Sequence, residues 1–177
     1  MLGEVRVFLQ VLLVSWVGVG CTEGTISRED VASNDRGVAL MGRYEYAAAT
    51  EMFAQVVDRT PSWLDARVNL AIATLNRQED GDESRALKIV SGVLTEDPGH
   101  LRAIYMSGLI HLYRGEIEPA TAFLRQAADA DQADAYAAYF LGQAYLQKSA
   151  YADAAEWLVR SIELDPYLRS AYWAGSQ

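Results

Sequence analysis

The stretch Ala138-Tyr139-Phe140-Leu141-Gly142-Gln143-Ala144-Tyr145, continued by Tyr151-Ala152-Asp153-Ala154-Ala155-Glu156-Trp157-Leu158 and closed by Asp165-Pro166, decides the fold. Its marked positions are Ala138, Leu141, Gly142, Tyr145, Tyr151, Ala154, Leu158, Ile162 and Pro166. One unit earlier the pattern reads Ile104, Gly108, Gly115, Ala120, Leu124 and Ala127. Before that come Leu70, Ala71, Gly81, Ala86, Val90, Val93 and Pro98, and first of all Gly37, Leu40, Tyr46, Ala49, Phe53, Val56 and Pro61. The dipeptides between units set the period. Thr60-Pro61, Asp97-Pro98, Asp131-Gln132 and Asp165-Pro166 lie at intervals of 97 − 60 = 37, 131 − 97 = 34 and 165 − 131 = 34. Two helices per unit at a period of about 34 residues make a helical solenoid.

Close packing explains the residue types. Gly108, Gly142 and Ala71 stand where the first helix of a unit meets the second, so that the two backbones can approach. Ala49, Ala86, Ala120 and Ala154 do the same from the second helix, and Phe53, Tyr145, Tyr151 and Leu158 fill the space between. Thr or Asp before Pro reads as a helix start, with the side chain as cap and Pro at the first helical position. A single unit cannot bury its apolar face; stacked neighbours do. The second unit carries a longer turn, Asn76 to Glu83, which is polar and is expected to be mobile.

These positions resemble those of the tetratricopeptide repeat over about four fifths of the chain. The resemblance implies an all-α, right-handed solenoid of four helix pairs plus a C-terminal capping helix. The expected division is a signal segment 1–21, a linker 22–29 and a repeat domain 30–177. Its units are 30–61, 62–98, 99–132 and 133–166, with a terminal helix over 167–175. Tyr167, Leu168, Tyr172 and Trp173 make that last segment apolar for a solvent cap.

In such arrays the first helices line a concave groove. By matching position the groove presents Val68, Asn69 and Ile72, then Arg102, Tyr105, Leu109, Leu112 and Tyr113, then Tyr136, Tyr139, Phe140, Gln143 and Gln147. Asn69, Arg102, Tyr105, Leu109, Tyr113, Tyr136, Tyr139 and Gln143 are the expected contacts to a protein or peptide partner. Aromatic side chains give large contact area at low entropic cost, and an Arg adds a directional donor. Leu109 and Phe140 also fit an inter-repeat core. One subclass grips a carboxylate with paired Lys and Asn. Here Asn69 is present, but Val38, Ile72 or aromatic residues replace the lysines, so that mode is not expected.

Composition narrows the function further. A net charge of −9 argues against nucleic acid, which requires clustered Lys and Arg. Two His and one Cys cannot make a conventional Cys/His zinc site or a disulfide framework. No phosphate-binding Gly-rich loop, Gly-x-Ser-x-Gly elbow or His-Glu-x-x-His is present. His100 reads as a surface residue at a helix start, and His111 as a packing or contact residue. The acidic pairs Asp129/Asp131 and Glu79/Asp80 read as solvated surface. No cofactor and no catalytic residue is expected, and the chain reads as a non-enzyme.

The first residues differ from the rest. An apolar run from Val7 to Val19 ends in Gly18-Val19-Gly20-Cys21, with polar Thr22-Glu23-Gly24-Thr25 beyond. A run this short reads as an export signal, since a membrane span needs about 20 apolar residues. Small residues before the only cysteine resemble a bacterial lipobox, which implies lipidation of Cys21. Thr22 then stands where a retention signal would place Asp, which implies an outer-membrane lipoprotein facing the periplasm or the cell surface. An uncleaved signal anchor, or secretion with a free thiol, remains open for the same residues.

The expected function is that of an exported, lipid-anchored scaffold that binds protein or peptide and assists assembly of an envelope or secretion complex. Three alternatives stand beside it, one of them an enzyme with a site assembled from Glu or Asp and Tyr in the groove. The run Asn69 to Gln78 and the end at Gln177 resemble the arrays that precede FG-GAP and ASPIC/UnbV-type regions, which would make this the N-terminal module of a longer surface protein. The apolar segment Tyr167–Trp173 would instead serve a self-associating homo-oligomer.

Overall fold

The computed structural model describes residues 25–168. The signal segment, Cys21 and most of the expected terminal helix lie outside them. The described residues form eight α-helices and no strand: α1 (Arg28–Gly42), α2 (Tyr46–Arg59), α3 (Leu64–Arg77), α4 (Asp82–Glu96), α5 (Leu101–Tyr113), α6 (Ile117–Ala130), α7 (Ala135–Gln147) and α8 (Tyr151–Leu164). Each helix packs on the next, and α1, α3, α5 and α7 also touch in succession. The architecture is a tetratricopeptide-type helical solenoid, as the repeat pattern implies.

The two helix classes bury different faces. The second helices are amphipathic: α6 buries Ala120, Leu124, Ala127 and Ala128, and α4 buries Ala86, Val90 and Val93, at the spacing of one helical stripe. The first helices α5 and α7 are apolar nearly all round, because each lies between its own partner and the second helix of the preceding unit. Thus α5 buries seven residues from Ala103 to Leu112, as a helix enclosed on several sides must.

Glycine permits the closest approaches. A Cβ on Gly37 would lie 2.6 Å from Phe53, and one on Gly108 would lie 2.7 Å from Leu124. Ala49, Ala86, Ala120 and Ala154 are all fully buried. Two members of the pattern are corrected. Ser161, not Ile162, holds the buried position equivalent to Ala127 (127 + 34 = 161), and its hydroxyl donates to the Ala135 carbonyl at 2.8 Å. Tyr151 fills no gap and is 69% exposed. Ile117, its counterpart one unit earlier, packs against the cluster holding Tyr145 and Leu146, and among the described residues no helix follows α8 to do the same.

The dipeptides between units are turns, not helix starts. Thr60, Asp97, Asp131 and Asp165 end the preceding helices. Their carbonyls accept from the amides three residues on, Trp63, His100, Asp134 and Leu168, at 3.0–3.2 Å. That is a β-turn, in which Pro fits the second position because its φ is already set. The carboxylates of Asp97, Asp131 and Asp165 accept from the amides two residues ahead, at 2.9–3.0 Å. Capping falls to later residues. Asp134 accepts from the Tyr136 and Ala137 amides, and His100 accepts from Ala103. Ser27 and Asp30 form a reciprocal capping box on α1.

Candidate functional site: the concave face

The concave face has a polar end and an aromatic end. At the polar end three successive first helices are linked by side chains. Asn69 donates to the Asn34 side-chain oxygen at 2.9 Å, and Arg102 donates to Asn69 at 2.6 Å and to Asp65 at 3.0 Å. Asn69 and Arg102 are therefore partnered with each other before any ligand arrives. His100 is not a free surface residue, since its side chain is largely covered and lies 3.7 Å from Asp65. The register explains this: a helix-capping position turns its side chain back over the first turn.

At the aromatic end, Phe140 meets Tyr105 edge-on at 6.2 Å between centroids and Tyr139 at 5.0 Å. Tyr105 is half-buried, and burial pushes its phenol above the ordinary value. Leu109 packs against the clusters of both flanking units. Tyr113 and Tyr136 stand free, at 63% and 53% exposure. Tyr113, Tyr139, Phe140, Gln143 and Gln147, with Leu112 and Gly115, line an open concavity of about 420 Å³. The eight expected contact residues thus divide. Tyr113, Tyr136, Tyr139 and Gln143 border open space, Tyr105 and Leu109 support them, and Asn69 and Arg102 form the polar link.

One residue assigned to the groove belongs to the core instead: Val68 is fully buried. Leu112 is nearly buried but still lines the concavity. A first helix inside the array buries a wider arc than one groove-facing stripe allows, and Val68 falls within that arc. On α1, Val38, already set beside Ile72 by the groove register, is exposed (38 + 34 = 72), and so is Val31, one repeat before Asp65 (31 + 34 = 65), which the sequence reading did not place. The repeat spacing alone could have found Val31.

His111 is a packing residue. Its ring stacks on Phe123, with 5.7 Å between centroids and an interplanar angle of 2°, and its Nδ1 lies 2.5 Å from Glu116. That contact and Arg114 hold the Glu116 carboxyl below its ordinary range. Among the described residues no three His, Cys, Asp or Glu converge as metal ligands.

The long turn is tied down rather than slack. Asp82, the first residue of α4, is 1% exposed. Its carboxylate accepts from Arg77 at 2.7 and 3.0 Å, from the Glu79 amide at 3.0 Å and from Arg85. The Arg77 contact outweighs the cost of burial and lowers the Asp82 pKa to about 2. Residues Gln78–Ser84 with Leu75, Asn76 and Tyr113 enclose a second cavity of about 770 Å³.

Comparison with known proteins agrees with this geometry. The family model described as tetratricopeptide repeat matches residues 105–168. Among solved structures, MamA 41-end from Desulfovibrio magneticus RS-1 superposes with a TM-score of 0.73 at 22% identity, over 85% of this chain and 84% of that one. YrrB, described as a TPR protein with an unusual peptide-binding site, superposes with a TM-score of 0.69 at 19% identity, over 84% of this chain and 75% of that one. At these identities the likeness is one of fold. No curated protein matches the sequence.

Proposed function

We propose that the chain is a non-catalytic scaffold that binds a segment of another protein along its concave face. In this reading it is exported and held at a membrane by lipid on Cys21, where it assists assembly of an envelope or secretion complex. The observation that carries the binding reading is the exposed Tyr113 lining a concavity with Tyr139, Phe140, Gln143 and Gln147, with Tyr136 exposed one turn before Tyr139 on the same helix. Interfaces draw much of their energy from such aromatic anchors in pockets, and amide side chains at the edge can pair with the backbone of an extended peptide. A groove of packed first helices is also rigid, so little ordering cost falls on the scaffold side. The anchoring reading rests on the Val7–Cys21 sequence.

The test is a photo-crosslinked pull-down from the native membrane fraction, with wild type beside Tyr113→Ala/Tyr136→Ala. Both side chains are exposed, so truncation leaves the core intact. A partner recovered by wild type and lost by the variant supports the groove. Equal recovery by both would place the contact elsewhere and sink the reading.

A further inference from the structure

Unit two differs from its neighbours by three residues, and they build something. In the other units the close-packing residue of the first helix precedes its partner in the second by sixteen positions (53 − 37, 124 − 108, 158 − 142). In unit two, Ala71 precedes Val90 by nineteen (90 − 71). The additional residues fall at Gln78, Glu79 and Asp80, between the end of α3 and Gly81. Gln78 and Gly81 both take left-handed backbone, at φ 60° and 83°, and the Asp82–Arg77 pair fixes the turn from inside. The cavity of about 770 Å³ is the outcome.

Its walls have two characters. Leu75 and Tyr113 are apolar, while Glu79, Asp80, Asp82 and Glu83 bring four carboxylates. Arg77 and Arg85 neutralise Asp82, and Arg77 also reaches Glu79 at 3.2 Å. Among the described residues, Asp80 and Glu83 pair with no cation, so the cavity keeps negative charge beside an aromatic face. Tyr113 also lines the aromatic concavity of about 420 Å³. The two hollows therefore share one lining residue, and together form the candidate track for a peptide.

We infer that this track selects a peptide segment bearing a Lys or Arg beside an apolar or aromatic residue. The apolar residue sits in the Tyr139–Phe140 concavity, and the cation sits against Tyr113 between Asp80 and Glu83. This rests on the groove-binding reading and specifies its ligand. Three features favour an organic cation. A charged head beside an aromatic face gains cation–π attraction. The long alkyl stem of Lys or Arg can lie along Leu75 and Tyr113 while its head meets carboxylate. The carboxylates do not converge as a metal site would require, and the overall charge of −9 draws cationic segments toward the protein.

The experiment is a selection of random peptides displayed on phage against the immobilised full chain in detergent, followed by affinity measurement of the enriched sequences. Enrichment of Lys or Arg near an aromatic or aliphatic residue is expected. Glu79→Gln/Asp80→Asn/Glu83→Gln, which keeps Asp82, should weaken those peptides on the order of tenfold and flatten their salt dependence. Tyr139→Ala should weaken them while the salt dependence stays. Peptides enriched without basic residues, or bound equally by the triple variant, would overturn the inference and leave groove binding standing. A selection that enriches nothing would overturn both.

Discussion

Gly142 lies so close to Leu158 that a Cβ on it would stand 2.7 Å from Leu158 Cγ and 3.3 Å from the Leu158 backbone nitrogen. The contact joins α7 to α8, and Gly108 and Leu124 repeat it one unit earlier. Part of the obstruction is backbone, so a rotamer change cannot remove it. Gly142→Ala is therefore expected to destabilise by about 1–3 kcal/mol through overpacking, despite the better helix propensity of Ala. Gly42→Ala is the control. It meets nothing within 4 Å, and urea denaturation should place it within about 0.5 kcal/mol of wild type. Equal midpoints for the two variants would show that the α7–α8 contact is not tight.

Ser107 presents the opposite case. It is 1% exposed, and its hydroxyl finds no hydrogen-bond partner. The equivalent positions hold Leu70 and Leu141 (107 − 37 = 70, 107 + 34 = 141). A buried hydroxyl without a partner costs about 1–3 kcal/mol of desolvation, and Ala removes it without adding volume. Ser107→Ala should raise stability by about 1 kcal/mol, read as a higher urea midpoint at an unchanged slope. A lower midpoint would mean that the hydroxyl is satisfied in solution.

Those two positions also show why so much of the fold is legible in the sequence. Gly142 opposite Leu158, sixteen residues on, is a volume rule that recurs with Gly108 and Leu124. Backbones approach only where side-chain volume permits, so composition at that spacing reports contact. The Asp-Pro dipeptides were harder. Asp97 could either cap a helix or turn the chain, and the distinction depends on where α5 starts, three residues beyond Pro98. Of the groove residues, Tyr113 and Tyr136 could be placed by register alone, since one stripe of each first helix faces the hollow. Val68 could not, because its burial depends on how far the α4–α5 side wraps around α3. The cavity at the long turn was least legible. It exists because Arg77 and Arg85 reach back to Asp82, and side-chain paths of that kind leave no periodic trace.

The proposed anchor is testable without a partner. If lipid on Cys21 holds the protein, Cys21→Ser should move it from the membrane fraction to the soluble fraction. A single acyl chain binds a membrane only marginally, whereas several chains hold it firmly, so the shift should be nearly complete at neutral pH and in high salt. Fractionation followed by immunoblotting reads it directly. Unchanged membrane retention would remove lipidation from the proposal and favour an apolar anchor.

The buried carboxylates set an acid limit on stability. Asp82 has a folded pKa of about 2 against an ordinary 3.8, with its Arg77 hydrogen bonds as the main cause. Asp30 is lowered too, first by the Ser27 hydroxyl and then by Arg59, which donates at 2.8 Å. Because the unfolded chain takes up these protons at higher pH than the folded one, both groups stabilise the fold above the ordinary carboxylate range. For Asp82 that contribution fades as pH falls from about 4 through about 2. Asp82→Asn should cost about 1–3 kcal/mol at neutral pH, since Arg77 and Arg85 lose a charged acceptor. The same variant should lose less stability than wild type on acidification, because one of the linked protons is gone. Urea midpoints for both proteins at neutral pH and near pH 3 decide it. Parallel declines would mean that the Asp82–Arg77 pair does not persist in solution, and the long turn would then lose the internal tie that shapes its cavity.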